Sequence, residues 1–125
     1  MIVGIGIDII ELTRIEKAAS KAAFLQRVYT ERELLLYGER GESISVLAGC
    51  FAGKEAVSKA LGTGFSGFWP SDVEILRDQQ GRPYVVLHGK ALEIGVSLNV
   101  SKWHISITNT SQIAAAYVVA EGQGL

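Results

Sequence analysis

Residues 45–61 run Ser-Val-Leu-Ala-Gly-Cys-Phe-Ala-Gly-Lys-Glu-Ala-Val-Ser-Lys-Ala-Leu before Gly62. That composition predicts one long helix, closed by a glycine suited to the left-handed conformation just past a helix end. Almost every position is small or apolar, and charge in such a setting is expensive unless it is paired or bound to something. Lys54, Glu55 and Lys59 break the pattern. At about 100° per residue, Lys54, Ser58, Phe51, Glu55 and Lys59 share one side of the helix, opposite Gly49, Ala56, Ala60, Gly53, Val46, Val57, Cys50 and Leu61. The helix alone admits two readings. One is a solvated face with Glu55 and Lys59 as an i,i+4 pair contributing a few tenths of a kcal/mol. The other is a site for a metal and phosphates, with Asp8, at the end of the first apolar run, supplying a second carboxylate.

The first strand, residues 2–10, alternates in a way that admits either a ligand role for Asp8 or an aspartate satisfied by the N-terminus of the next helix. Val3, Ile5, Ile7 and Ile9 face one way, and Gly4, Gly6 and Asp8 the other. Asp8 therefore looks along a face stripped of side chains, which leaves room for a ligand. Near the other end of the chain, Trp103, Ile105 and Ile107 form an apolar strand face, with His104, Ser106 and Thr108 on the reverse as donors and acceptors suited to phosphate or ribose oxygens. On the first helix Arg14, Lys17 and Lys21 stand at i, i+3 and i+7, a basic stripe able to dock an acidic partner.

The other elements set the fold class. Residues 12–25 read as one helix, and Thr30 with Glu33 as the capping box of a short helix ending at Gly38. Residues 40–43 form a loop and 62–67 a flexible connection. Residues 73–77 and 84–87 flank a hairpin loop at 78–83, a short helix spans 89–96, and strands at 103–108 and 113–119 are joined at 109–112. Strands at both ends with helices clustered early predict an α+β fold, helices packed on one face of a largely antiparallel sheet. A chain of 125 residues, 48% hydrophobic, is the size of one domain spanning 1–125. Twelve basic against thirteen acidic residues argue against a general nucleic-acid binder. One cysteine excludes an internal disulfide, and no leader and no stretch of about 18 apolar residues point to a cytoplasmic protein without a membrane span.

Gly4-Ile5-Gly6-Ile7-Asp8 with Glu11-Leu12 and Arg14-Ile15, then Leu47-Ala48-Gly49, Phe51-Ala52, Lys54-Glu55-Ala56, Ser58-Lys59-Ala60 and Gly62-Thr63-Gly64, resemble holo-acyl-carrier-protein synthase, the small bacterial 4′-phosphopantetheinyl transferase family. The likeness continues through Asp78, Gly81, Pro83-Tyr84, His104 to Thr108 and Ala114 to Ala116, and so spans essentially the whole chain. It implies the 4′-phosphopantetheinyl transferase fold and transfer of the 4′-phosphopantetheine arm of coenzyme A to a serine of apo-acyl carrier protein, with release of adenosine 3′,5′-bisphosphate. Asp8 and Glu55 match the family's Mg2+ ligands, and Lys59 its phosphate-contacting lysine. These three are the expected catalytic residues. His104 and Ser106 match the coenzyme A strand, and Gly62, Thr63 and Gly64 the loop near its phosphates and pantetheine arm. Arg14, with Lys17, Lys21, Phe24 and Arg27, matches the surface that docks the carrier protein. The resemblance also implies a homotrimer with sites at subunit interfaces.

Two positions depart from the family. Cys50 stands where arginine is common, and Asn109 where histidine or glutamate is. Cys50 then either vacates a coenzyme A phosphate contact that another residue such as Arg40 takes over, or packs as a small hydrophobe. The competing functions are another Mg-dependent phosphoryl or nucleotidyl enzyme and a non-enzymatic oligomeric binding module.

Overall fold

The computed structural model describes residues 1–123. In chain order these form β1 (Ile2–Glu11), α1 (Leu12–Ala19), α2 (Ala22–Val28), α3 (Glu31–Glu39), α4 (Ile44–Ala60), a 3₁₀ turn (Pro70–Asp72), β2 (Val73–Arg77), β3 (Pro83–Leu87), α5 (Gly89–Ser97), β4 (Val100–Asn109) and β5 (Ile113–Gly122). Every strand pairing among them is antiparallel. The predicted single sheet is two: β1-β5-β4 and the hairpin β2-β3. The α+β class and the helix layer are as expected, and among the described residues no helix is long and apolar enough to cross a membrane.

The core lies between α4 and the inner face of the three-stranded sheet, where Leu47, Ala48, Ala52, Ala56 and Val57 meet Ala114, Ala116, Val118 and Ala120. Gly4 and Gly6 are what let the two layers come so close. A Cβ on Gly4 would lie 2.0 Å from the Ala60 carbonyl oxygen, and one on Gly6 only 1.8 Å from that of Ala56. This corrects one expectation: the bare face of β1 receives the backbone of α4, and no ligand space is left over those glycines.

The residues expected to form one helix over 12–25 are two. At Ser20 the hydroxyl bonds back to the Lys17 carbonyl at 2.7 Å, and Lys21 turns extended (φ −104°, ψ 120°) before α2 begins. A serine that satisfies the preceding turn with its own side chain competes with helix continuation. The Thr30 capping box forms as predicted. In the 78–83 turn Asp78 accepts from the backbone of Gln80 and Arg82, and Gly81 takes φ 85°. The strands predicted at 103–108 and 113–119 extend further at the open end of their hairpin, because their ladder continues to the pair Val100 and Gly122.

Lys54 provides the largest departure from the helix-wheel reading. It and Ser58 are fully buried, so they do not share a solvated face with Glu55 and Lys59. The Lys54 ammonium is ringed by Glu33 Oε1 at 2.7 Å and the carbonyls of Pro70 at 3.1 Å and Val73 at 2.5 Å. Glu33 in turn accepts from the backbone N–H of Thr30 and, at 2.8 Å, of Ile75. One carboxylate thus caps α3, neutralises a lysine of α4 and pins β2.

Candidate active site

Asp8 sits on β1 beside Gly6, on the inner face opposite Ala116, and mostly out of solvent. Glu55 and Lys59 stand one turn apart on α4 where that helix crosses β1. The Lys59 ammonium bridges the two elements, 3.1 Å from Asp8 Oδ1 and 2.9 Å from the carbonyl of Ile7. Glu55 has its pKa raised above the usual carboxylate range, first by burial and then by the negative charge of Asp8, with Lys59 pulling the other way. The two carboxylates therefore feel each other across the β1–α4 seam. Two half-sheltered carboxylates that repel suit a hard divalent cation, since Mg2+ takes one or two protein carboxylates and completes its octahedron with water and phosphate oxygens. The donor set fits that ion, and Lys59 supplies a further positive charge beside it.

The Gly62-Thr63-Gly64 loop follows α4 directly. Gly62 (φ 81°) and Gly64 (φ 57°) take the left-handed conformation, and the N–H groups of Gly62, Thr63 and Gly64 donate back to the carbonyls of Lys59 and Ser58. The loop terminates the helix with its own amides, so any contribution to a ligand comes from its shape and the exposed Thr63 side chain rather than from free N–H groups. Further along the segment expected as a connection, the Ser66 N–H donates to the Thr63 carbonyl.

His104, Ser106 and Thr108 lie together on one exposed face of β4, as the alternation predicts. The ladder places them beside Val119, Tyr117 and Ala115, and beyond these Ile5, Ile7 and Ile9. That is the outer face of the sheet, whereas Asp8 faces inward. Within one chain, then, Asp8, Glu55 and Lys59 come together, and His104 and Ser106 stand two strands away on the opposite side.

Arg14, Lys17, Lys21 and Phe24 are brought together by the break between α1 and α2. With Ala18 and Ser20 they line a groove of about 590 Å³, its floor continued by Phe24 packing edge-on against Tyr29 and beside Phe51. Arg27 is exposed on α2, outside the groove. The predicted stripe is thus a basic rim around an aromatic base, a shape that the helix wheel did not contain.

Cys50 takes the second of its two readings. Its thiol is buried and directed at the Ile75 carbonyl at 3.5 Å, and burial pushes its pKa up to about 12. Arg40 lies beside the hairpin turn, its guanidinium 3.8 Å from where a Gly81 Cβ would be. Asn109 ends β4 with its amide donating to the Thr110 carbonyl. Cys50→Arg is expected to lower stability by at least about 2 kcal/mol through overpacking and a buried charge, with no gain in affinity for a phosphorylated ligand. Thermal melts paired with ligand titration check this; tighter binding with unchanged melting would return Cys50 to the site.

A family model described as the 4′-phosphopantetheinyl transferase superfamily matches residues 4–119. The holo-[acyl-carrier-protein] synthase of Clostridium perfringens is 48% identical over 128 residues, covering 98% of this chain and 96% of that protein. Among solved structures, the holo-[acyl-carrier-protein] synthase of Neisseria meningitidis superposes with a TM-score of 0.88 at 36% identity, covering 97% of this chain and 99% of that one. The holo-(acyl-carrier-protein) synthase of Bacillus anthracis, solved in complex with CoA (3′,5′-ADP), superposes with a TM-score of 0.81 at 38% identity, covering 98% and 99%.

Proposed function

Because the chain belongs to the 4′-phosphopantetheinyl transferase superfamily, and closely resembles its holo-acyl-carrier-protein synthases, we propose that Asp8, Glu55 and Lys59 are the centre at which it moves 4′-phosphopantetheine from coenzyme A to a serine of apo-acyl carrier protein. The observation that carries the assignment is the seam where the Lys59 ammonium joins Asp8 beside Glu55. Adenosine 3′,5′-bisphosphate is the other product. Residues 1–125 form the single domain that does this, in the cytoplasm.

The chemistry asks for little covalent participation by the enzyme. The partner's serine oxygen forms a bond to the phosphorus next to the pantetheine arm as the pyrophosphate P–O bond breaks, and the bisphosphate leaves with that electron pair. What must be supplied is position and positive charge against the negative charge that develops. Asp8 and Glu55 would hold Mg2+, which when bound neutralises phosphate oxygens and polarises the phosphorus. Lys59, half-exposed and held over β1 by the Ile7 carbonyl, donates to a phosphate oxygen. Removal of the serine proton falls to Glu55 or to a water held at the metal site.

His104 and Ser106 contact coenzyme A from a different copy of the chain. Two features support this: they face away from Asp8, and the sheet face they share with Ile5, Ile7, Ile9 and Tyr117 is 45–60% exposed at those four residues, an apolar patch of the kind that marks an interface. Three copies, the number the family resemblance implies, then enclose three sites. The Gly62-Thr63-Gly64 loop borders the pantetheine arm.

The groove of Arg14, Lys17, Lys21 and Phe24, with Arg27 at its margin, receives the acidic carrier protein. Arg14→Glu is expected to raise the KM for carrier protein about tenfold, roughly 1.4 kcal/mol, with the KM for coenzyme A unchanged and the effect shrinking as salt rises. Steady-state kinetics varying each substrate in turn checks it; equal losses for both substrates would remove the groove from the docking surface. The function as a whole is tested by mass spectrometry of apo-carrier protein incubated with the protein, coenzyme A and Mg2+. Addition of one 4′-phosphopantetheine is the expected result, and an unmodified serine would refute it.

A further inference from the structure

On the outer face of the three-stranded sheet one polar contact crosses the apolar rows. The ladder pairs His104 with Val119 and Lys102 with Glu121, so His104 on β4 and Glu121 on β5 are diagonal neighbours on one face. His104 Nε2 lies 2.8 Å from Glu121 Oε1.

The Glu121 carboxyl sits on a fixed base. Its own carbonyl accepts from the Ser101 hydroxyl, and the next residue, Gly122, exchanges hydrogen bonds with Met1 in both directions, at 2.8 and 2.9 Å. Its pKa is held below the usual carboxylate range, chiefly by the hydrogen bond from His104, with the charges of His104, the chain's amino terminus and Lys102 adding to it. An ionised carboxylate only accepts. The proton in the contact therefore belongs to Nε2, and Nδ1 is the ring nitrogen left to meet a ligand.

Resting on the reading that His104 meets coenzyme A, we propose that Glu121 is the positioning residue of that contact, fixing the imidazole through Nε2 so that Nδ1 is offered to coenzyme A in one orientation. Both partners are about half exposed, and such a pair adds little to stability. Its worth lies in the ring. An unrestrained imidazole turns over a broad range about its second side-chain torsion, and ordering it on binding weakens the ligand contact. The carboxylate removes that freedom before coenzyme A arrives.

The test is a double-mutant cycle on the whole protein with coenzyme A and apo-carrier protein. Glu121→Ala raises the KM for coenzyme A about fivefold, the loss of one hydrogen bond's worth of ordering, while kcat and the KM for carrier protein stay within about twofold. Glu121→Gln keeps the wild-type KM, because its amide oxygen still accepts from Nε2. In a His104→Ala background, Glu121→Ala adds nothing further, since a residue acting through another is silent without it. A full additional loss in that background overturns the proposal, and so does a Gln variant as impaired as Ala. If His104→Ala leaves the KM for coenzyme A unchanged, the reading of His104 itself fails and takes the proposal with it. If His104→Ala raises that KM and Glu121→Ala does not, the reading stands and the positioning role alone is refuted.

Discussion

Asp8→Ala and Glu55→Ala each lower turnover by about 10³-fold or more, the scale of losing about 4 kcal/mol of transition-state stabilisation, while the fold survives. Each variant removes one of the two oxygen donors at the β1–α4 seam, and Asp8→Ala also frees Lys59 to swing away from the phosphates. The stability side of the experiment has a sign. Glu55 has its pKa raised in the folded protein, so its contribution to stability is fully present below its unfolded pKa and is lost as pH rises through the folded one. At neutral pH the ionised carboxylate therefore disfavours the fold. Glu55→Gln should melt at the same temperature as the parent or higher, with activity gone, the trade expected where a strained charge serves function. Isothermal titration with Mg2+ and single-turnover assays give the readout. Near-normal turnover in either variant at saturating Mg2+ would show that the metal is held elsewhere.

The second large effect has nothing to do with chemistry on the substrate. Lys54→Met leaves the buried Glu33 carboxyl without its counter-charge and with only two backbone donors, and breaking a buried ion pair from one side costs about 3–5 kcal/mol, a large share of the stability of a domain this size. The loss should be partly recovered when Glu33→Gln is added, because the neutral amide needs no counter-charge and can keep the capping contact. Urea denaturation of the two single variants and the double variant checks it. A Lys54→Met protein within about 1 kcal/mol of the parent would mean that the Glu33–Lys54 pair is not what joins α3, α4 and β2.

These two expectations mark where the sequence was readable and where it was not. Asp8, Glu55 and Lys59 could be paired from afar because two ordered motifs at recognisable spacing carry them. Strand alternation correctly put Asp8 on the face with Gly4 and Gly6, and His104 with Ser106. It could not say what covers each face, since period two fixes a side and leaves its neighbour open. Hence the glycine face reads as ligand space although α4 fills it, and Asp8 and the proposed coenzyme A residues His104 and Ser106 lie on opposite faces of the sheet in one chain. The helix wheel failed at Lys54 for a related reason. It ranks residues by angle, while burial depends on what packs there, and α4 is enclosed on that flank by Glu33 of α3 and by β2. Glu33 was legible only as a cap, because its second and third partners are 21 and 42 residues away. The break at Ser20, invisible in the run of alanines, is what turns a basic stripe into a groove.

The contact between β1 and α4 has no side chain in it at the glycine positions. Gly4 meets the Ala60 carbonyl and Gly6 that of Ala56, so main chain rests on main chain and no rotamer can absorb a change in spacing. Both carboxylates flank the second of these contacts, Asp8 two residues from Gly6 and Glu55 one residue from Ala56. The gap between the two carboxylates is thus gauged by peptide backbone, like the jaws of a caliper locked at one setting. A methyl group inserted at Gly6 would open those jaws, so two residues that never touch a substrate should behave, in any survey of variants, like members of the catalytic set.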